Sequence, residues 1–94
     1  MSDGGGTRFE LRVAGPAVRQ LDRLPEKIAA AIVEFMLGPL LDDPHRVGGA
    51  LRRELEGLHS ARRGAYRVVY RLDEQASLVI VLRIDHRATI YRRR

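Results

Sequence analysis

The pattern of apolar positions predicts strands most clearly in two segments of the second half of the chain, 66–72 and 78–87. Both segments are rich in β-branched and aromatic residues, and the polar stretch 73–77 between them is typical of a hairpin loop. Because side chains alternate across a strand, one row from each strand should face a core. A loop symmetric about Gln75 would place these two rows opposite each other. The rows are Tyr66, Val68, Tyr70 and Leu72 in one strand and Leu78, Ile80, Leu82 and Ile84 in the other.

The first half of the chain predicts a strand followed by two helices. Loose alternation over 7–13 indicates the strand, and Gly15-Pro16 then opens a short helix. Pro25 ends this helix and suits the first turn of the next, where its missing N–H would have no partner anyway. The second helix should end near Gly38-Pro39. The expected apolar faces are Ala14, Val18, Leu21 and Leu24 in the first helix and Ile28, Ile32 and Phe35 in the second.

The remaining segments complete an α+β domain of order β-α-α-β-β-β. By composition, residues 1–6 are a disordered lead-in, 42–49 a loop and 88–94 a basic tail. Residues 51–58 and 59–64 are interpreted as one strand, bent at Gly57. Helices grouped at one end and strands at the other predict two helices packed on one face of a small antiparallel sheet, with the other face open to solvent. Residues 7–94 are therefore expected to form a single domain.

Composition narrows the class of protein. A chain of 94 residues suits one small domain, and it has no apolar run long enough to cross a bilayer. Without cysteine there is neither a disulfide framework nor thiolate chemistry. We therefore expect a cytoplasmic protein that does not interact with membranes.

Charge is distributed unevenly along the chain. Sixteen of the 17 basic residues are arginine, and only Lys27 is lysine. Residues 1–43 carry 5 basic and 7 acidic side chains, a net charge of −2, whereas residues 44–94 carry 12 and 5, a net charge of +7. A basic half on a small domain favours a polyanionic partner, either nucleic acid or an acidic protein segment.

The arginines of the hairpin form the main candidate site. In the symmetric register Arg67 lies across from Arg83, and directly opposed like charges destabilise a sheet unless an anion lies between them. A phosphate is the natural anion, because the guanidinium fork matches its oxygens. The alternative is a solvated sheet face on which Asp85 pairs diagonally with Arg67. The candidate phosphate-binding residues are Arg62, Arg63, Arg67, Arg71, Arg83 and Arg87.

Two further residues could take part in proton transfer. His86 lies at the end of the last strand, where either a catalytic or a packing role is open. Tyr91 lies among arginines whose charge would stabilise a phenolate, although it could equally cover the sheet edge. His45 and His59 have no partner at metal-ligand spacing and are interpreted as surface residues, so no metal or other cofactor is predicted.

Three segments resemble the C-terminal half of the RelE/ParE toxin superfamily. They are 55–58 (LEGL), 62–70 (RRGAYRVVY) and 82–91 (LRIDHRATIY), and the helix over 17–24 with Pro25 resembles the family's first helix. The resemblance covers about residues 8–92. It implies a two-helix layer on an antiparallel sheet and a toxin of a type II toxin–antitoxin pair, neutralised by a cognate antitoxin.

RelE-type members act on the ribosome, where they cleave mRNA in the A site without a metal. The resemblance implies that Arg67 steadies phosphate charge in the transition state and that Arg87 assists the leaving 5′-oxygen. Tyr91 would stack on or deprotonate the substrate, and His86 could share the proton transfer. The strand lysines of RelE-type toxins are absent here, and the resemblance implies that Arg62 and Arg63 would make the phosphate contacts in their place.

Two alternative functions remain at this stage. A ParE-type relative of the same fold would inhibit DNA gyrase, although ParE-type relatives generally lack the set Arg67, Arg87 and Tyr91. A non-catalytic nucleic-acid-binding module would bind with steep salt dependence and turn over no substrate.

Overall fold

The computed structural model describes residues 8–50 and 57–86. Arg87, Tyr91, the lead-in, the basic tail and residues 51–56 lie outside these ranges. The elements are β1 (Glu10–Val13), α1 (Gly15–Arg23), α2 (Glu26–Leu37), α3 (Pro39–Asp42), α4 (Pro44–Val47), β2 (Gly49–Ala50), β3 (Leu58–Arg63), β4 (Tyr66–Asp73) and β5 (Leu78–His86).

Prolines set the limits of the first two helices, as predicted. Pro16 lies in the first turn of α1, and α2 follows directly after Pro25. In α1 and directly after it, the predicted Leu21 and Leu24 pack against the core, but Ala17 is fully buried in place of Val18, which is 44% exposed. In α2 the predicted face is confirmed by burial of Ile32 and Phe35.

Five strands form one sheet in the order β1-β5-β4-β3-β2. The pairs β2–β3, β3–β4 and β4–β5 are antiparallel. The remaining pair, β1 with β5, is parallel, because the chain crosses over the sheet through its helices before returning. The α+β prediction is confirmed, with the sheet mixed at its β1 edge.

The predicted register of the β4–β5 hairpin was wrong. Asp73 pairs with Leu78, so the turn has four residues, not five, and Val79 lies opposite Leu72. A second shift lies between Val69 and Tyr70, which pair with Arg83 and Val81 and leave Leu82 as an extra residue, a β-bulge. As a result Val79, Val81 and Ile84 are the buried apolar residues of β5, and of the predicted row of Leu78, Ile80, Leu82 and Ile84 only Ile84 is buried.

The core lies between the helices and one face of the sheet. Val68 and Tyr70 of β4 are fully buried, as predicted, and belong to the same buried cluster as Ile32, Phe35 and Met36 of α2. Paired residues of an antiparallel ladder share a face, so the register carries this core face across β3, β4 and β5. The opposite face, called here the open face, carries no helix among the described residues, but it is not fully solvated as predicted, because Val69 and Asp85 on it are buried at 1% and 8% exposure. No helix in these residues is long and apolar enough to cross a membrane.

The segment between α2 and β3 is more ordered than predicted. The expected loop over 42–49 contains the single turn α4, whose Asp43 side chain accepts a hydrogen bond from the Arg46 amide at 3.3 Å. Gly57 has a φ of 88°, a left-handed value that favours glycine, and β3 begins directly after it.

Candidate functional site

A charged row crosses one end of the open face. Arg62 of β3 lies directly opposite Arg67 of β4, and Arg67 lies directly opposite Asp85 of β5. The predicted pairing of Arg67 with Arg83 was therefore wrong, since Arg83 lies opposite Val69. A pair of directly opposed arginines is nevertheless present, but it is formed by Arg62 and Arg67. The arrangement still favours an anion between two guanidinium groups.

Asp85 holds the third arginine of this site. Arg83 Nε donates a hydrogen bond to Asp85 Oδ2 at 2.7 Å, and the Asp85 side chain is only 10% exposed. The ion pair is thus made along β5 with Arg83, not across the sheet with Arg67. Among the described residues only Nε of the Arg83 guanidinium has a hydrogen-bond partner, so its two terminal nitrogens are left to contact a ligand.

The β-bulge at Leu82 determines which side chains of β5 reach the open face. Without it, alternation from Val79 and Val81 would place Arg83 and Asp85 on the core face. The extra residue reverses the alternation, so Ile84 is buried in the core and the two charged residues face outward. Arg71 also lies on the open face but is paired with Ile80, nearer the hairpin turn.

Two predicted site residues, Arg63 and His86, lie at the same end of the sheet on its core face. Each is paired with Tyr66 of β4, whose side chain packs against the core. The His86 ring is exposed and meets the Tyr66 ring edge-on at a centroid distance of 4.9 Å. Arg63 borders a largely apolar groove of about 570 Å³ that runs along α2. The structure therefore separates His86 and Arg63 from the row of Arg62 and Arg67.

Gln20 of α1 supports the strand end that carries the site. β1 ends at Val13, which pairs with Val81, so no β1 residue reaches the last residues of β5. There the Gln20 Oε1 atom accepts a hydrogen bond from the Ile84 amide at 2.7 Å. The residue before Asp85 is thus fixed by a side chain in place of a neighbouring strand. Nothing in the local sequence pattern marked Gln20, because the contact joins residues 64 positions apart.

A second cluster lies at the opposite end of β3 and β4. His45 is exposed, as predicted, but the two histidines are not solitary, since their rings are 6.1 Å apart and the partly buried His59 ring stacks on Tyr70. His45 Nε2 lies 2.7 Å from Glu74 Oε2. Burial, reinforced by the charge of His45, lowers the pKa of His59, against an opposing effect of Glu74.

Tyr70 anchors this cluster to the core. Its hydroxyl donates a buried hydrogen bond of 2.6 Å to the Pro44 carbonyl, and burial raises its pKa to about 12. Its position in the alternation of β4 predicted the burial, but not the hydrogen bond. Among the described residues there is no group of three His, Cys, Asp or Glu side chains that could hold a metal ion.

The chain is similar in sequence to known toxins. The model for the ParE toxin of the type II toxin–antitoxin system, parDE, matches residues 11–91. Toxin RelE of Mycobacterium tuberculosis is 55% identical over 84 residues, which cover 89% of this chain and 87% of that protein. Toxin RelG of the same organism is 53% identical over 85 residues, covering 90% and 98%.

Solved structures show the same architecture. The RelBE2 toxin–antitoxin complex of Mycobacterium tuberculosis contains a chain that superposes with a TM-score of 0.83 at 49% identity, covering 86% of this chain and 100% of that one. The isolated RelE toxin of Escherichia coli superposes with a TM-score of 0.68 at 17% identity, covering 83% of each chain, which is a likeness of fold.

Matches of this extent define a class, the toxins of type II toxin–antitoxin systems. Within it, the chain belongs to the RelE/ParE toxin superfamily and is of the RelE type.

Proposed function

We propose that this protein is a ribosome-dependent endoribonuclease that cleaves mRNA in the A site and so arrests translation and growth. The observation that carries the proposal is the arginine row of Arg62 and Arg67, flanked by Arg83, on the open face. Three guanidinium groups at one end of a sheet suit a phosphodiester whose charge increases during the reaction. The 55% identity to Toxin RelE supports the same reading.

The reaction proposed needs no metal. The 2′-hydroxyl of the substrate attacks the adjacent phosphorus, leaving a 2′,3′-cyclic phosphate and a free 5′-hydroxyl. Arg67 stabilises charge on the phosphate in the transition state, and Arg62, Arg83 and Arg71 bind the flanking backbone. Arg63 lies on the other face of the sheet and would contact the RNA only beyond this row. Removing one such charge-stabilising donor typically lowers the rate about 10²–10³-fold.

The roles of three further residues are proposed on the resemblance. Arg87 assists the leaving 5′-oxygen, and Tyr91 stacks on or deprotonates the substrate nucleotide. His86 could share the proton transfer from the strand end, but it faces the side of the sheet away from Arg67. Its contact with Tyr66 equally supports a packing role.

The proposed partners are the ribosome with its mRNA and a cognate antitoxin, in the cytoplasm. The RelBE2 relative, 49% identical to this chain, was solved as a toxin–antitoxin complex, which supports an antitoxin partner here. With a net charge of +5, this chain suits an antitoxin segment that is acidic or amphipathic and covers the basic face.

Mapping of mRNA 5′ ends tests the proposal in cells. The wild-type protein, Arg67→Ala and the control Arg19→Ala would be induced in a bacterial host, and ends would be located by primer extension. Arg19 is an exposed arginine of α1, so its loss changes the charge without touching the site. New cuts inside translated codons with the wild type and Arg19→Ala, but not with Arg67→Ala, are expected.

The second candidate is inhibition of DNA gyrase, favoured by the match to the ParE toxin model. In that case growth would stop without new mRNA ends, and cleaved gyrase–DNA complexes would accumulate. A protein that only binds nucleic acid would produce neither signal.

A further inference from the structure

Asp85 is an unexpected residue at the centre of a site built to attract phosphate. It is the one charged residue among those described that is buried, at 8% exposure, and it lies directly opposite Arg67. Burying a carboxylate is costly unless cations and hydrogen bonds compensate, and Arg83 supplies both through Oδ2. Within residues 8–50 and 57–86, the second oxygen, Oδ1, accepts no hydrogen bond.

The cleavage proposed above requires a group that takes the proton from the 2′-hydroxyl. Arginine cannot do this, because its guanidinium remains protonated and has no acceptor. His86 lies on the core face with Tyr66, and the other described tyrosine, Tyr70, donates its hydroxyl proton to Pro44 in the core. Among the described residues at this end of the open face, Asp85 alone carries an ionisable acceptor.

We propose that Asp85 is the general base of this ribonuclease, placed beside Arg67 by the β-bulge at Leu82. The inference rests on the proposed function. Facing residues of an antiparallel pair have Cβ atoms about 4.5–5.5 Å apart, so the Asp85 carboxylate starts beside the side chain of the arginine that would hold the phosphate. The attacking oxygen must come within about 3–3.5 Å of phosphorus, which brings its proton within reach of Oδ1.

The step balances without a cofactor. The 2′-hydroxyl proton moves to Asp85 Oδ1 as the 2′-oxygen forms its bond to phosphorus, and the bond from phosphorus to the 5′-oxygen breaks. The departing 5′-oxygen takes a proton from water, and Asp85 later returns its own to solvent. Arg83 keeps the carboxylate oriented throughout, and Tyr91 is left with the stacking role.

Single-turnover cleavage of mRNA on programmed ribosomes, with the toxin saturating, tests this role because the rate then reports chemistry and not binding. Asp85→Asn keeps the shape and can still accept from Arg83 Nε, so it removes the base with little change in packing. We expect its rate to fall about 10²–10⁴-fold. Glu10→Gln is the matched control, because Glu10 also lies on the open face but is paired with Leu78, at the other end of β5 from Asp85. Its cleavage rate should stay within about twofold of wild type.

Rescue of activity by small anions then distinguishes a general base from a residue that only positions Arg83. In Asp85→Ala, formate can occupy the vacated space and accept a proton, whereas nitrate has a similar shape and charge but almost no basicity. Rescue by formate and not by nitrate, at constant ionic strength, supports the proposal. Equal rescue by nitrate overturns the proposal. The absence of rescue by either anion also overturns it if Asp85→Glu cleaves no faster than Asp85→Asn.

Ribonuclease activity and the role of Asp85 can be refuted separately. A wild-type protein that leaves mRNA intact overturns the ribonuclease and this inference together. A wild type that cuts, with Asp85→Asn within about threefold of its rate, overturns the assignment of Asp85 alone.

Discussion

Replacing Gln20 by leucine should loosen the strand end that carries the charged row. Gln20 Oε1 is the acceptor for the Ile84 amide at 2.7 Å, and Ile84 itself is only 4% exposed. Leucine preserves the volume but leaves a poorly accessible N–H without a partner, which costs about 1–3 kcal/mol of unfolding free energy. For a domain of this size, each kcal/mol lowers Tm by about 4–8 °C.

Urea unfolding and amide exchange at Ile84 together measure this effect. Gln20→Leu should lower the urea midpoint and speed exchange of the Ile84 amide, whereas Gln20→Glu retains an oxygen acceptor and should show a smaller change in both. The reasoning is refuted if Gln20→Leu unfolds at the wild-type urea concentration with Ile84 exchange unaltered. Ribonuclease activity should fall along with stability, because Asp85 is the next residue in the strand.

The second cluster yields four further predictions. Tyr70→Phe leaves the buried Pro44 carbonyl unpaired and should cost about 1–3 kcal/mol in urea unfolding. Because the folded pKa of Tyr70 is about 12 against 10 unfolded, about 2–3 kcal/mol of wild-type stability should be lost as pH rises from 10 through 12, and Tyr70→Phe should not show that loss. Gly48→Ala would place a Cβ against the Tyr70 hydroxyl and 2.6 Å from the Ser60 carbonyl oxygen. This overpacking should cost about 1–3 kcal/mol of unfolding free energy and lower Tm accordingly. An unchanged Tm would contradict the packing described. Burial lowers the pKa of His59, so the folded state resists its protonation and stability should decline as pH falls below about 6.5; an equal decline in His59→Phe would exclude His59 as the cause.

The helices and the general fold could be read from the sequence because their signals are local. Pro16 and Pro25 set helix limits through their own backbone chemistry, and the alternation over Tyr66 to Leu72 contains only one apolar row. In the β5 segment every residue from Leu78 to Leu82 is apolar, so both faces satisfy the pattern. Alternation alone could not decide between them, and neither the four-residue turn nor the bulge has a distinctive residue there.

The candidate site was accessible to sequence reasoning only in part. The hairpin arginines were identified, but their partners depend on a register that two single-residue shifts determine. Asp85 was regarded as a counter-charge, since a buried carboxylate and a solvated one look alike in sequence. Contacts such as that between His45 and Glu74 join distant segments, and only the closed fold brings them together.

Analysis of the RNA ends made by the purified protein tests the central claim most directly. Programmed ribosomes would be incubated with wild type, Arg67→Ala or Arg19→Ala in the presence of a metal chelator compatible with intact ribosomes. The account predicts a cut within the A-site codon that leaves a 2′,3′-cyclic phosphate and a 5′-hydroxyl, with Arg19→Ala and not Arg67→Ala retaining the wild-type rate. Intact mRNA, or equal cutting by Arg67→Ala, would contradict it.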